Sequence, residues 1–181
     1  MTYRLLPIKD LCISEYFPSK NYSSQVDSSL FMGRYRQDND KYRTLLQFDL
    51  DKLGTQEIQK AYLQLNITRN ESAVRIINLG IYRILDGWDA SLITWDTMIP
   101  FSPVPEHRFV IPAGWQGLLL LDISVLVHNC LNHNYVNHGF ILIGEEYYNS
   151  LLAFSSRREE NPDSWPRLII TGISLSSSDP N

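Results

Sequence analysis

The stretch "AYLQLNIT", residues 61–68, constrains the fold more than any other part of the chain. Ala61, Leu63, Leu65 and Ile67 alternate with Tyr62, Gln64, Asn66 and Thr68, and a period of two sends the first set to one side of an extended backbone and the second to the other. A helix would scatter the four apolar residues around its circumference. The segment therefore predicts a strand with one face on a core and the other toward water. Less regular runs of the same kind lie at 8–15, 29–36, 42–49, 74–84, 107–111, 118–123, 139–145, 150–156 and 166–173, with Gly and Pro breaking the chain between them. Short strands at turn-like spacing predict an all-β fold, a jelly-roll-type antiparallel β-sandwich. A chain of 181 residues, 44% hydrophobic, is large enough for one core and small for two.

One segment departs from the strand pattern. In "DISVLVHNCLNH" Ile123, Val127 and Leu131 fall on one helical face, and Asp122 is placed to cap the N-terminal end. This predicts a single short helix plugging one end of the sandwich. The expected organisation is an N-terminal extension at 1–9, the sandwich at 10–173, and a polar tail at 174–181, "SLSSSDPN", which should fray.

Charge excludes one class of partner. With 16 Lys and Arg against 20 Asp and Glu, net −4, the chain lacks the basic surface that neutralises phosphates, so nucleic acid is not expected. Nothing has the length and apolarity of a membrane span. "MTYRLLPIKDLCISEY" carries Arg, Lys and Asp where a secretion signal keeps an apolar segment. The expected location is a cell or spore surface reached by a route that the sequence does not show, or otherwise the cytoplasm. Cys12 and Cys130 are too few for a disulfide scaffold. They read first as two buried thiols, with one disulfide, within or between subunits, as the alternative.

Several separated segments, "RTLLQFDL" (43–50), "IQKAYLQL" (58–65), "GWDASLITWDTMIP" (87–100), "LLLDISVLV" (119–127), "NHGFIL" (137–142) and "FSSRREENPDSWPRLII" (154–170), occur in one order and spacing. Together they resemble the DNRLRE-type domains, also described as carbohydrate-binding module family 96. The resemblance covers about residues 10–173. It implies a non-catalytic jelly-roll sandwich of secreted or surface proteins, some of which bind polysaccharide. An early Asn-Tyr-Gly motif of that family stands here as "NYS", with Ser23 in place of Gly.

The resemblance also implies that the connection holding two Trp-Asp pairs, 88–89 and 95–96, lies across the sandwich. The pairs are seven residues apart, far from the roughly forty of a propeller blade. Trp95 is expected to pack on core, where one buried indole is worth roughly 2–3 kcal/mol. Trp88 lies nearer the loop, and Trp115 in "PAGWQG" is the better exposed candidate. Arg43, Asp49, Asp122 and Arg157 stand beside apolar strands. They read as charge pins tying strands to loops, because a charge next to core must be paired to offset desolvation.

No catalytic, cofactor or metal site is expected. His128, Cys130, His133 and His138 lie within eleven residues, but on a helix His128 and His133 are five apart and Cys130 points elsewhere. "RQDNDKYR" around Asp38 and Asp40 lacks the spacing of a calcium loop and reads as a hairpin tip. Asn21, Asn66 and Asn70 lie in glycosylation sequons, which matter in a secretory eukaryotic setting. There is no nucleophile elbow, phosphate loop or dinucleotide fingerprint, and an enzyme is not expected.

Two functions follow. The first is a self-assembling structural protein, such as a filament or coat subunit of a bacterial cell, spore or appendage surface. Its copies would associate through sheet edges, with Tyr3, Leu5, Leu6 and Ile8 of the extension as the assembly segment. The alternative is a carbohydrate-binding module contacting a polysaccharide through Trp88, Trp115, Tyr147, Tyr148 and Trp165. A basic strip of Arg34, Arg36, Lys41 and Arg43 would suit an acidic polysaccharide, but the net negative charge argues against a strong field.

Overall fold

A computed structural model describes residues 1–23, 29–54 and 57–173. Among these, eleven strands form in chain order: β1 (Thr2–Leu5), β2 (Pro7–Ser14), β3 (Ser29–Arg34), β4 (Lys41–Phe48), β5 (Glu57–Ser72), β6 (Ile76–Arg83), β7 (His107–Pro112), β8 (Gly117–Asp122), β9 (Phe140–Ile143), β10 (Ser150–Ser155) and β11 (Arg167–Ile173). One helix, α1 (Ser124–Leu131), separates β8 from β9. The alternation in "AYLQLNIT" holds: Ala61, Leu63, Leu65 and Ile67 are at most 2% exposed, all on the inner face of β5.

Every strand pair is antiparallel. β5 organises the first layer, with β11 along its first half, β10 along its second, and β8 on its other side. β1 extends that layer beyond β11, and β3 extends it beyond β10. The second layer runs β2-β4-β9-β6-β7. The layers are joined where β3 and β4 pair, at Gly33↔Tyr42 and Arg34↔Lys41. The result is one sheet curled into an all-β sandwich.

The main core lies between the layers, where Leu63, Leu65 and Phe154 share a cluster with Leu46, Leu79 and Leu142. α1 adds Leu126 and Val127 to it. The helix start differs from the expectation, because the N-cap is Ile123, which has no side-chain capping bond, and Asp122 stands one residue before it. The Asp122 carboxylate accepts the Ser124 N–H at 3.0 Å and the Ser124 hydroxyl, and Ile123 occupies the position before the first helical residue.

A second cluster explains why apolar residues stand side by side in β4, "LL" at 45–46, and run unbroken in β9, "FILI". Leu46 and Leu142 face the main core, while Leu45 and Ile141 face the outside of the second layer. There the segment after β6 folds over them, contributing Ile84, Trp88 and Ile93. Strands covered on both faces lose the alternation that a half-exposed strand keeps.

The N-terminal segment is part of the sandwich. β1 pairs with β11 from Thr2↔Thr171 to Leu5↔Leu168, the terminal ammonium donates to the Gly172 carbonyl at 2.8 Å, and Pro7 already begins β2. Residues 1–9 are thus not a free extension: Tyr3 and Leu5 pack against the main core, while Leu6 and Ile8 are 42% and 46% exposed. The tail, 174–181, lies outside the described residues. Cys12 is buried and Cys130 half-buried, and the two are not joined in a disulfide. No helix among the described residues is long and apolar enough to cross a membrane.

Candidate functional site

The connection from Ile84 to Phe101 covers half of the outer face of the second layer, and its two indoles fasten it there. Trp88 is 7% exposed, its Nε1 donates to the His138 carbonyl at 2.8 Å, and the Lys9 ammonium lies 4.8 Å from its ring centre. Trp95 is half-buried against the same cluster, with the Arg43 guanidinium 4.8 Å from its ring centre. Asn21 holds the connection from the side. Its amide donates to the carbonyls of Ala90 at 2.9 Å and Ile93 at 2.6 Å, while its own oxygen accepts from the Ser23 N–H and hydroxyl. Trp88 must therefore be corrected from a possible ligand contact to a structural residue, since both its face and its N–H are already engaged.

The other half of that outer face is open. Register places Arg43 beside Ile143, Ile143 beside Gly80, and Gly80 beside Arg108, a row crossing β4, β9, β6 and β7. The next row sets Asn78 beside Val110. These side chains floor a groove of about 650 Å³, walled by Phe101 and Pro103 on one side and Glu145 to Tyr147 on the other. Gly80 makes room for the Tyr82 ring. A Cβ there would lie 2.6 Å from the Tyr82 ring, which folds over the glycine and meets Phe101 edge-on at 5.7 Å.

Arg43, Glu146, Glu145 and Asn78 in the groove are held by their neighbours. The Arg43 guanidinium makes a two-pronged bond to Glu146, Nε at 2.8 Å and Nη2 at 3.0 Å, and lies 5.7 Å from the Phe101 ring centre. Both side chains are 15% exposed, so the pair is shielded from water and ties the wall to the floor. Glu145 accepts from the Tyr147 N–H at 3.2 Å and from the Asn78 amide at 3.4 Å. Tyr147 itself is 84% exposed and also lines an adjoining hollow of about 340 Å³ with Glu146, Lys41, Arg34 and Asp38. Exposed rings beside planar polar groups suit a ligand with apolar faces and hydroxyls.

Of the five aromatic residues expected as contacts, the groove takes only Tyr147. Tyr148 is 56% exposed and Trp115 37%, but neither lines the groove, and the Trp115 carbonyl instead accepts from Asn70 at 2.8 Å. Trp165 is half-buried, with Nε1 bonded to the Glu159 carbonyl at 2.7 Å. The basic strip is neutralised: Arg34 pairs with Asp38, Lys41 with Glu15 and Arg43 with Glu146, while Arg36 lies over the Tyr35 ring.

Each of the four residues expected as charge pins has a polar partner, Asp49 only within its own turn. Asp49 accepts from the Asp51 N–H and pairs with Lys52, and Asp122 pairs with Lys60. Arg157 pairs with Asp10, whose carboxylate also accepts the Arg157 backbone N–H at 2.9 Å and whose side chain is 1% exposed. Asp10 and Glu146 were missed as partners, because in "PIKDLCIS" and "GEEYYN" they look like solvent-facing acids. The three sequon asparagines also hold structure through their amide nitrogens, Asn66 to the Ser155 hydroxyl and Asn70 to the Pro112 and Trp115 carbonyls.

The remaining candidates stay apart. His133 lies beyond α1 in left-handed backbone, and burial pushes the Cys130 thiol up to about 11, so it stays protonated at neutral pH. Asp40 is buried beside Tyr42, whose phenol is pushed up by that burial and by the carboxylate. Among the described residues no three His, Cys, Asp or Glu side chains group as metal ligands.

A curled antiparallel sandwich with a solvent-open groove on one face defines the class of β-sandwich binding modules. The sequence profile of carbohydrate-binding module family 96 matches residues 1–172, and the chain belongs to that family. The match begins at the first residue, as the place of β1 within the sheet requires. A carbohydrate-binding module family is non-catalytic. No curated protein matches the chain.

Proposed function

We propose that the chain is a non-catalytic module that holds polysaccharide in the groove over β4, β9, β6 and β7. The observation that carries this is the open half of the second layer's outer face. There Tyr82, Phe101 and Tyr147 stand around Arg43, Arg108, Asn78 and Glu145. A pyranose ring has C–H faces that stack on aromatic rings and a rim of neighbouring hydroxyls that planar polar groups bind in pairs. Family membership supports the same reading. On this reading the protein works where polysaccharide is met, at a cell or spore surface or outside the cell.

Self-association through sheet edges has less support. The segment expected to reach a neighbour already spends one edge of β1 on β11 of its own chain.

Affinity electrophoresis in gels containing soluble polysaccharides tests the proposal. Wild type should be retarded by at least one of them. Tyr147→Ala combined with Arg108→Ala should abolish the retardation, and Trp115→Ala should leave it intact. Unretarded migration across the panel, or loss of retardation with Trp115→Ala alone, contradicts it.

A further inference from the structure

We infer that β8 is a docking edge for a second copy of this chain, and that two copies join there about a two-fold axis into one continuous sheet. The inference stands on the strand edges and does not depend on the carbohydrate-binding reading.

Edge chemistry is the first argument. Among the described residues four strands are paired on one side only: β1 with β11, β2 with β4, β7 with β6 and β8 with β5. An open row of N–H and C=O groups accepts a further strand unless a charge, a proline or a bulge spoils it. β1 carries the exposed Arg4, and β2 carries Pro7, Lys9 and an irregular register between them. β7 carries Arg108 and Pro112, both exposed. β8 reads "GLLLL" from Gly117 to Leu121, with neither charge nor proline, and its register with β5 is unbroken. Leu118 and Leu120 are each 57% exposed, on the outer face of the first layer.

Geometry is the second argument. The Ile123 N–H donates to the Ala61 carbonyl at 2.9 Å, so these two form a hydrogen-bonded pair, and such pairs recur at every second residue of an antiparallel ladder. Leu121, Leu119 and Gly117 therefore bond to β5 opposite Leu63, Leu65 and Ile67, while Leu118 and Leu120 turn their N–H and C=O toward the open side. A foreign strand laid there would have to be apolar and uncharged throughout. Among the four edges of this chain, β8 alone meets that requirement, and an edge laid antiparallel on itself is self-complementary. Setting Leu118 against Leu120 of the second copy makes about four main-chain hydrogen bonds and two leucine pairs on the outer face. Leu119, which packs against the core, then meets Leu119 of the second copy on the inner face.

Size is the third argument. The exposed leucines each bring on the order of 100 Å² out of water. Two from each copy, with the flanking main chain, fall short of the roughly 1,200 Å² of a stable complex. The dimer is therefore weak and reversible, with a dissociation constant on the order of 100 micromolar. It uses a different edge from residues 1–9, and because it consumes β8 of both copies it closes instead of growing into a polymer. The axis stands normal to the sheet, so the outer faces of both second layers lie on one side of the dimer.

Sedimentation velocity on the full chain, from about 5 micromolar to about 1 millimolar, tests the inference. The expected result is monomer at the low end, dimer at the high end and nothing larger. Leu118→Lys and Leu120→Lys should each raise the dissociation constant by about tenfold or more with unchanged circular dichroism. Leu6→Lys, on the exposed N-terminal segment, should leave it unchanged. In a Cys130→Ser background, Leu119→Cys should give a cross-linked dimer under mild oxidation, and Val110→Cys on the β7 edge should not. Monomer throughout the range overturns the inference, and so do polymers or a dimer that both lysine variants leave intact. A dimer lost with Leu6→Lys, or cross-linking absent at 119, overturns it equally.

Discussion

Trp88 and Asp10 show how single side chains settle between structure and ligand. Trp88 sits under the covering connection with its N–H bonded and its face against Lys9. Trp88→Ala should therefore cost about 3–5 kcal/mol in urea denaturation, as removal of a buried indole does. Sugar binding per folded molecule should be unchanged. Asp10 is a buried carboxylate answered by the Arg157 side chain and backbone and, at 3.8 Å, by Arg158. Asp10→Ala strands those partners and should cost about 3 kcal/mol. A third residue sets an acid sensitivity. The bond from Lys60, together with those from the Ser124 hydroxyl and N–H, lowers the Asp122 carboxyl to about 2 from its ordinary 3.8. A depressed carboxylate contributes stability that is complete above the ordinary value and is lost as pH falls through the lower one. Because Asp122 is largely solvated, screening leaves roughly 0.5–1 kcal/mol of that effect. Asp122→Asn should flatten the fall in Tm between about pH 4 and about pH 2 by the corresponding amount.

At the scale of elements, the covering connection after β6 is the part that makes the groove possible, since it occupies one half of the outer face and leaves the other open. Asn21 secures it through two carbonyls. Asn21→Ala should cost about 1–3 kcal/mol and raise amide hydrogen exchange selectively over residues 88–97. Uniform exchange across the chain would contradict that role. The place where the layers join is equally demanding. Gly33 has φ of 99°, and a Cβ there would lie 2.0 Å from the Ser150 carbonyl oxygen, so Gly33→Ala should prevent β3 from pairing with β10 and yield insoluble protein.

How far the sequence reveals these elements follows from burial. β5 is legible because one face is wet, and β4 and β9 are legible as strands although two covered faces hide their orientation. β1 was hidden because "TYRL" is too short to show a period before Pro7. The charge pins were readable as pins, but not as pairs. The groove could not be read at all, since Arg43, Gly80, Arg108 and Glu145 come from distant segments and only register brings them together.

At the scale of the whole molecule, two layers bury one core and a loop buries a second, so stability and recognition are assigned to different places. The interior and the covering connection hold the fold, and the proposed function puts the ligand on the remaining open face. The thiols play no covalent part in this division, so reducing agent should leave the Tm unchanged. The most direct test is amide chemical-shift mapping while an oligosaccharide that binds is titrated into labelled protein. The account predicts shifts gathered at residues 78–82, 108–110 and 143–147, with quiet signals around Trp88 and α1. Shifts gathered instead at the far end, on residues 130–137 and 50–54, would contradict it.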